Sequence, residues 1–203
     1  MVKIMKNMNT KNRIELYKKL VDERSNQLPG VMNEDFLQWL IDEGFFAAPA
    51  SRKYHGAYEG GLFDHSYAVT HTLLGMTERL DIEWEHPRSP VIVGLFHDLC
   101  KVDQYEKVID VEGVTYFGRD EVEGEEYHFE YRNDSLFPGH GEKSVMKLAA
   151  WLHLTEEEIL CIRYHMGAYE KDAWDYFDKA IRKYETVLWT HQADMYASKV
   201  KGI

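Results

Sequence analysis

The chain is predicted to fold as an all-α helical bundle with a small inserted β-hairpin or ribbon. Three observations predict this. Apolar residues recur at helical spacing through most of the 203 residues. Capping signals stand where several of those runs begin. One stretch, 106–131, breaks the helical pattern and carries strand-like alternation instead.

Residues 12–24 place Ile14, Leu16, Tyr17, Leu20 and Val21 close to helical spacing, which predicts a first helix. Asn33 is placed to cap a second, with Phe36, Leu37, Leu40 and Ile41 facing inward. Residues 44–61 read as an irregular segment rich in Gly, Ala and aromatics. A third helix is predicted from Phe63 to Leu80, with Asp64 or Ser66 near its start. A fourth is predicted from Ser89 to about Tyr105, opened by Pro90 in its first turn. Its VIVGLF stretch is apolar all round and so buried. Residues 140–153 and 155–168 predict two more, the second opened by a Thr155–Glu158 capping box. The last helix is expected from Tyr176 to Lys199. Between them, Tyr127, Phe129 and Tyr131 alternate, and Gly113 suits a hairpin turn. The resulting ribbon is expected to cover a neighbouring site as a flap.

The length fits one domain over 1–203: N-terminal helices over 1–50, a core over 55–198 and the ribbon over 106–131. Hydrophobic residues at 44% and charged residues at 29% are ordinary for a globular protein. A formal charge of −11 disfavours a broad nucleic-acid footprint, because phosphate backbones repel an acidic surface. Cys100 and Cys161 lie in apolar helical stretches outside any Cys-x-x-Cys pair, so both are expected to be buried free thiols. No apolar run approaches the ~18 residues of a membrane span. The basic N-terminus lacks the apolar region of a secretory signal, so no membrane partner and a cytoplasmic location are expected.

Five short stretches carry the chemistry: GGLFDHS at 60–66, LFHDLCK at 95–101, PGHGEKS at 138–144, RYHMG at 163–167 and THQADMYAS at 190–198. They offer His65, His97, Asp98, His140, His165 and Asp194 as metal ligands. His65, His97, Asp98 and Asp194 suit a first ion; His140 and His165, with Asp98 bridging, suit a second. Imidazole and carboxylate without thiolate fit iron, manganese, cobalt, nickel or zinc, and argue against a calcium cage. Two ions roughly 3.5–4 Å apart acidify a shared water for attack on phosphorus. The catalytic assignment is therefore Asp98, as the bridging ligand, and Lys101, as the charge that steadies a phosphoryl oxygen. Arg52, Lys53, Lys143 and Arg163 stand beside ligand motifs as candidate phosphate contacts. His55 and Tyr58, in the lead-in to His65, are candidate substrate contacts. Glu142 is placed to orient His140 or to sit at a helix start. His71 and His191 are read as packing residues.

These residues resemble the HD-domain superfamily of metal-dependent phosphohydrolases, whose pattern reads His, then His-Asp, then a distant Asp, with two further histidines in its two-metal branches. The resemblance covers about 55–198. GGLFDHS and FHDLCK look like the HD domain of bacterial 3′–5′ exoribonucleases. PGHGEKS with IRYHMG looks like the small stand-alone HD hydrolases of bacteria and phages. It implies an all-α bundle with metals at its centre and hydrolysis of a phosphoester or phosphoanhydride. Only about 50 residues precede the motifs here, which is short for the nucleic-acid-binding module of the exoribonucleases. The expected substrate is thus a small phosphorylated metabolite, a nucleotide by preference. A 3′–5′ exonuclease on single-stranded RNA or DNA is one alternative. A non-catalytic, metal-stabilised regulatory module is another. The flap and N-terminal helices offer surfaces for a homo-oligomer.

Overall fold

Two asparagines open the first helices by the same device. The Asn9 side chain accepts a hydrogen bond from the Asn12 amide at 2.9 Å, and Asn33 does so from Phe36 at 2.9 Å. Helices α1 (Thr10–Glu23) and α2 (Glu34–Asp42) follow. A computed structural model describes residues 5–24, 26–28, 33–111, 114–117, 126–134, 139–169 and 173–203. Helix α3 (Gly61–Leu80) is the longest at 20 residues and stops at Asp81, whose left-handed φ of 54° ends the helix. Helix α4 (Ser89–Phe96) is buried at every position, as its unbroken apolar run requires. A short 3-10 turn (Leu99–Asp103) leads into strands β1 (Tyr105–Val111), β2 (Val114–Phe117) and β3 (Glu126–Tyr131). Helices α5 (His140–Ala149), α6 (Glu156–Arg163), α7 (Trp174–Lys183) and α8 (Thr186–Met195) complete the bundle. A π-helical stretch (Tyr196–Lys201) extends α8.

The fold class is as expected: helical, with one small antiparallel sheet. Thr155 and Glu158 form the capping box, and Cys100 and Cys161 are buried free thiols. Four details differ from the sequence reading. The fourth helix ends at Phe96 and not near Tyr105, because Asp98 leaves helical geometry at φ −103°, ψ 18°. The helix expected to reach 168 ends at Arg163, with Tyr164 out of helical geometry. The last helix is two, broken where Tyr184 is extended at ψ 106°. The ribbon has three strands in the order β2-β1-β3, since β1 pairs with both neighbours. The Gly113 turn lies outside the described residues. Among those described, no helix is long and apolar enough to cross a membrane.

The core gathers aromatics from three elements. Phe45 and Phe46, in the irregular segment, pack on Phe63 of α3 at 5.9 and 5.2 Å between ring centroids; Phe36 of α2 meets Phe96 of α4 at 5.5 Å. Helices α3 and α4 approach closely because Gly94 lacks a side chain: a Cβ there would stand 2.6 Å from the Thr70 Cα.

One charge enters this core. Arg13, only 2% exposed, binds both oxygens of buried Asp64, with Nε–Oδ1 at 2.8 Å and Nη2–Oδ2 at 2.9 Å. It also donates to the carbonyls of Met5 and Met8, and the Tyr58 hydroxyl donates to Asp64 Oδ2 at 3.0 Å. The pair ties α1 to the first turn of α3, one residue before His65. Removing one partner of such a pair leaves an uncompensated buried charge. Arg13→Met is therefore expected to cost about 3–5 kcal/mol in urea denaturation. Arg13→Met combined with Asp64→Leu should recover most of that loss.

Candidate metal centre

Three helix segments each deliver a histidine whose Nδ1 meets a backbone carbonyl. His65 of α3 pairs with the Ile203 oxygen at 2.8 Å, His97 at the end of α4 with Gly94 at 3.0 Å, and His165 after α6 with Ile162 at 2.7 Å. A carbonyl oxygen only accepts, so each neutral ring carries its proton on Nδ1. All three Nε2 atoms therefore present lone pairs, and they converge. His65 Nε2 lies 3.2 Å from His97 Nε2, 3.1 Å from Asp194 Oδ1 and 3.5 Å from Asp98 Oδ2. His97 Nε2 is 3.5 Å from Asp98 Oδ2, and His165 Nε2 is 3.4 Å from Asp98 Oδ1.

Lone pairs and carboxylates this close repel unless a cation sits among them. The donors fall into two groups sharing His97: His65, His97 and Asp194; and His97, Asp98 and His165. Within each, the ligand atoms lie within 4.8 Å of one another. Two buried atoms in the second group, Asp98 Oδ1 and His165 Nε2, have no hydrogen-bond partner. Buried polar atoms left open in this way are what a metal ion satisfies. The donor set fits a divalent transition metal, with imidazole orientation fixed by carbonyl partners as metal-bound histidines require.

Lys101 supplies one cation to this centre. Its Nζ stands 2.6 Å from Asp98 Oδ2, and both side chains are buried. Burial works to raise the Asp98 pKa, but the Lys101 ammonium beside it outweighs that and holds the carboxyl well below its usual range. Burial works to lower the Lys101 pKa, and Asp98 reverses that too. His55 is pushed down to about 4 by burial, and further by His65 and Lys101; its ring lies 4.9 Å from that of His65.

The other sequence candidates are placed as follows. His140, the first residue of α5, has Nδ1 3.5 Å from Cys100 Sγ and stands outside both donor groups. Cys100 is pushed up to about 12 by burial and by Asp98. Tyr58 points to Asp64. Lys143 pairs with Asp103 at 2.6 Å, and Arg163 pairs with Glu142. Arg52 lies over the Tyr131 ring at 5.8 Å, and Lys53 is exposed. The sequence reading missed two contributors, Arg13 and the Ile203 carbonyl; His191 Nδ1 meets the His165 carbonyl at 2.7 Å.

No family model matches the chain, and no solved structure matches it. A 71-residue stretch is 38% identical to a dihydroneopterin 2′,3′-cyclic phosphate phosphodiesterase of Methanocaldococcus jannaschii. The match covers 32% of this chain and 28% of that protein, so less than a third of the relative is spanned.

Ligand that binds only the folded state stabilises it by mass action. A divalent metal at about 100 times its Kd should add about 2.7 kcal/mol to folding, read as a rise in Tm under calorimetry. EDTA should reverse that rise, and Asp98→Asn should abolish it.

Proposed function

We propose that the protein is a metal-dependent phosphohydrolase of the HD-domain type, cleaving a phosphoester bond of a small nucleotide-type substrate. The observation that carries this is the convergence of three Nε2 lone pairs and two carboxylates with no proton between them. The likeness to a phosphodiesterase of a cyclic phosphate supports the reaction class.

His65, His97, Asp98, His165 and Asp194 would hold the ion. His140 joins a second ion's shell in the two-ion reading, which elemental analysis resolves. When bound, a divalent ion polarises a phosphoryl oxygen and lowers the pKa of a water. Lys101 holds a proton and a positive charge beside Asp98, where it neutralises charge gathering on a phosphoryl oxygen. Buried His65, His97 and His165, anchored to carbonyls, exclude bulk water and fix the ligand directions. His55, whose buried Nδ1 lacks a hydrogen-bond partner, offers a contact to the substrate.

Formal charge favours a diester. Asp98 and Asp194 with Lys101 leave the centre at −1, taking the histidines as neutral. One divalent ion brings it to +1, which a phosphodiester monoanion cancels.

The test is a panel of 2′,3′-cyclic and 3′,5′-cyclic nucleotides, nucleoside monophosphates and nucleoside triphosphates. Each is incubated with protein loaded with Mn, Co, Fe, Ni or Zn. Turnover of a phosphoester, lost in Asp98→Ala and reduced about 10²–10³-fold in Lys101→Ala, is expected. Protein that retains a stoichiometric ion yet cleaves nothing in the panel would overturn the reading.

A further inference from the structure

A second concavity lies at the far end of the two helices that carry His65 and His97. Its volume is about 730 Å³, within the range of small-molecule sites. The outer face of α3 forms its floor, with Gly75 at the centre. Trp84, Pro87 and Pro90 line it as well, with Arg24 and Gln27 as its basic and amide groups and Glu78 as its one carboxylate. Gly75 is ten residues beyond His65, roughly 15 Å along the helix axis.

Three features give this concavity its chemical character. Gly75 weakens the middle of the longest helix relative to alanine. Yet a Cβ there would meet only the tip of the Arg79 side chain, at 3.3 Å. Its absence leaves the floor bare. Trp84 is held rigidly, its indole N–H donating to Thr77 Oγ1 at 2.9 Å, so a flat apolar plate is fixed beside that floor. The Arg24 guanidinium donates to the Gln27 side chain at 3.3 Å, and among the described residues no carboxylate is in ion-pair distance of it. His71, whose ring is tilted against that of Tyr67 at 4.4 Å between centroids, also lines the concavity.

We propose that this concavity is a second ligand site, separate from the metal centre, for a flat-ringed anion of nucleoside-monophosphate size. The ring lies over Gly75 against Trp84 and Pro87. The anionic group meets Arg24, with His71 alongside. Because the walls belong to α3 and the start of α4, an occupant braces both ligand-bearing helices from their distal ends.

Calorimetric titration of the full chain with adenosine 5′-monophosphate tests this, in the presence of EDTA so that the metal centre takes no part. One saturable site is expected. Adenosine and inorganic phosphate should each bind at least tenfold more weakly. Gly75→Leu, which fills the floor, and Arg24→Gln, which removes the charge at the rim, should each weaken binding tenfold or more. Asp98→Asn should leave it unchanged. Gly75→Ala provides the folding control: it should keep or raise Tm. The proposal is overturned if wild-type protein binds none of the probes. It is equally overturned if both cavity variants bind as wild type does, or if Asp98→Asn abolishes binding.

Discussion

A carboxylate that stays ionised inside a helical core needs cations around it, and Asp98 sets that requirement for the bundle. Its residue is 2% exposed, and the cation beside it is Lys101. A unit charge pair about 4 Å apart gains roughly 4 kcal/mol at an effective dielectric near 20. Burying each ion costs several kcal/mol. Lys101 alone therefore does little better than break even. A divalent ion doubles the charge facing Asp98. Such an ion would also have Asp194 and the imidazole nitrogens within reach. The centre is arranged for more positive charge than the chain itself supplies.

Three of the candidate ligands, His97, Asp98 and His165, arrive where helices stop. Helix α4 ends at Phe96, and Asp98 turns out of it, so His97 and Asp98 converge instead of diverging by the roughly 100° of successive helical positions. Helix α6 ends at Arg163, and His165 follows in the turn. In both cases the imidazole Nδ1 bonds a carbonyl of the last turn, Gly94 or Ile162, which would otherwise lack an intrahelical partner. One hydrogen bond thus finishes the helix and fixes the ring. Gly94 serves twice, as that acceptor and as the gap that lets α3 bring His65 alongside.

This division explains what was legible in the sequence. Residue type and spacing pointed to His65, His97, Asp98, His165 and Asp194, and the fold gathers these five into two adjoining groups. The end of α4 was not legible. VIVGLFHDLCK carries neither proline nor glycine after Phe96, and a single Asp98 inside an apolar run does not by itself mark a helix end. The Tyr184 break is hidden for the same reason. The Ile203 contact was hidden because a backbone carbonyl leaves no mark on the side-chain pattern. Arg13 did leave a signal: it falls four and seven residues before Tyr17 and Leu20, on the buried face of α1. A charge there calls for a buried partner. The positions of Arg52, Lys143 and Arg163 next to ligand motifs carried less information. Nearness along the chain does not decide where a long cationic side chain points.

The segment between α2 and α3 shows how the periphery holds the centre. It carries His55 and Tyr58, and it is gripped from two sides. Tyr58 joins the Arg13–Asp64 pair, while the sheet reaches over with Lys107 on Glu59 at 2.7 Å and Tyr131 beneath Arg52. Glu59 is 40% exposed, so its ion pair is worth at most about 1 kcal/mol. Stiffness must come from elsewhere. The Gly60 amide donates to the Ala47 carbonyl at 2.7 Å, Leu62 to Ala48 at 2.9 Å and Ala50 to Gly56 at 2.9 Å, folding the segment onto itself. Phe45 and Phe46 anchor its start in the core. The sheet therefore adds to a segment already fixed by backbone bonds and aromatic packing. Its contribution is to the lip beside His55 and not to the placement of His65.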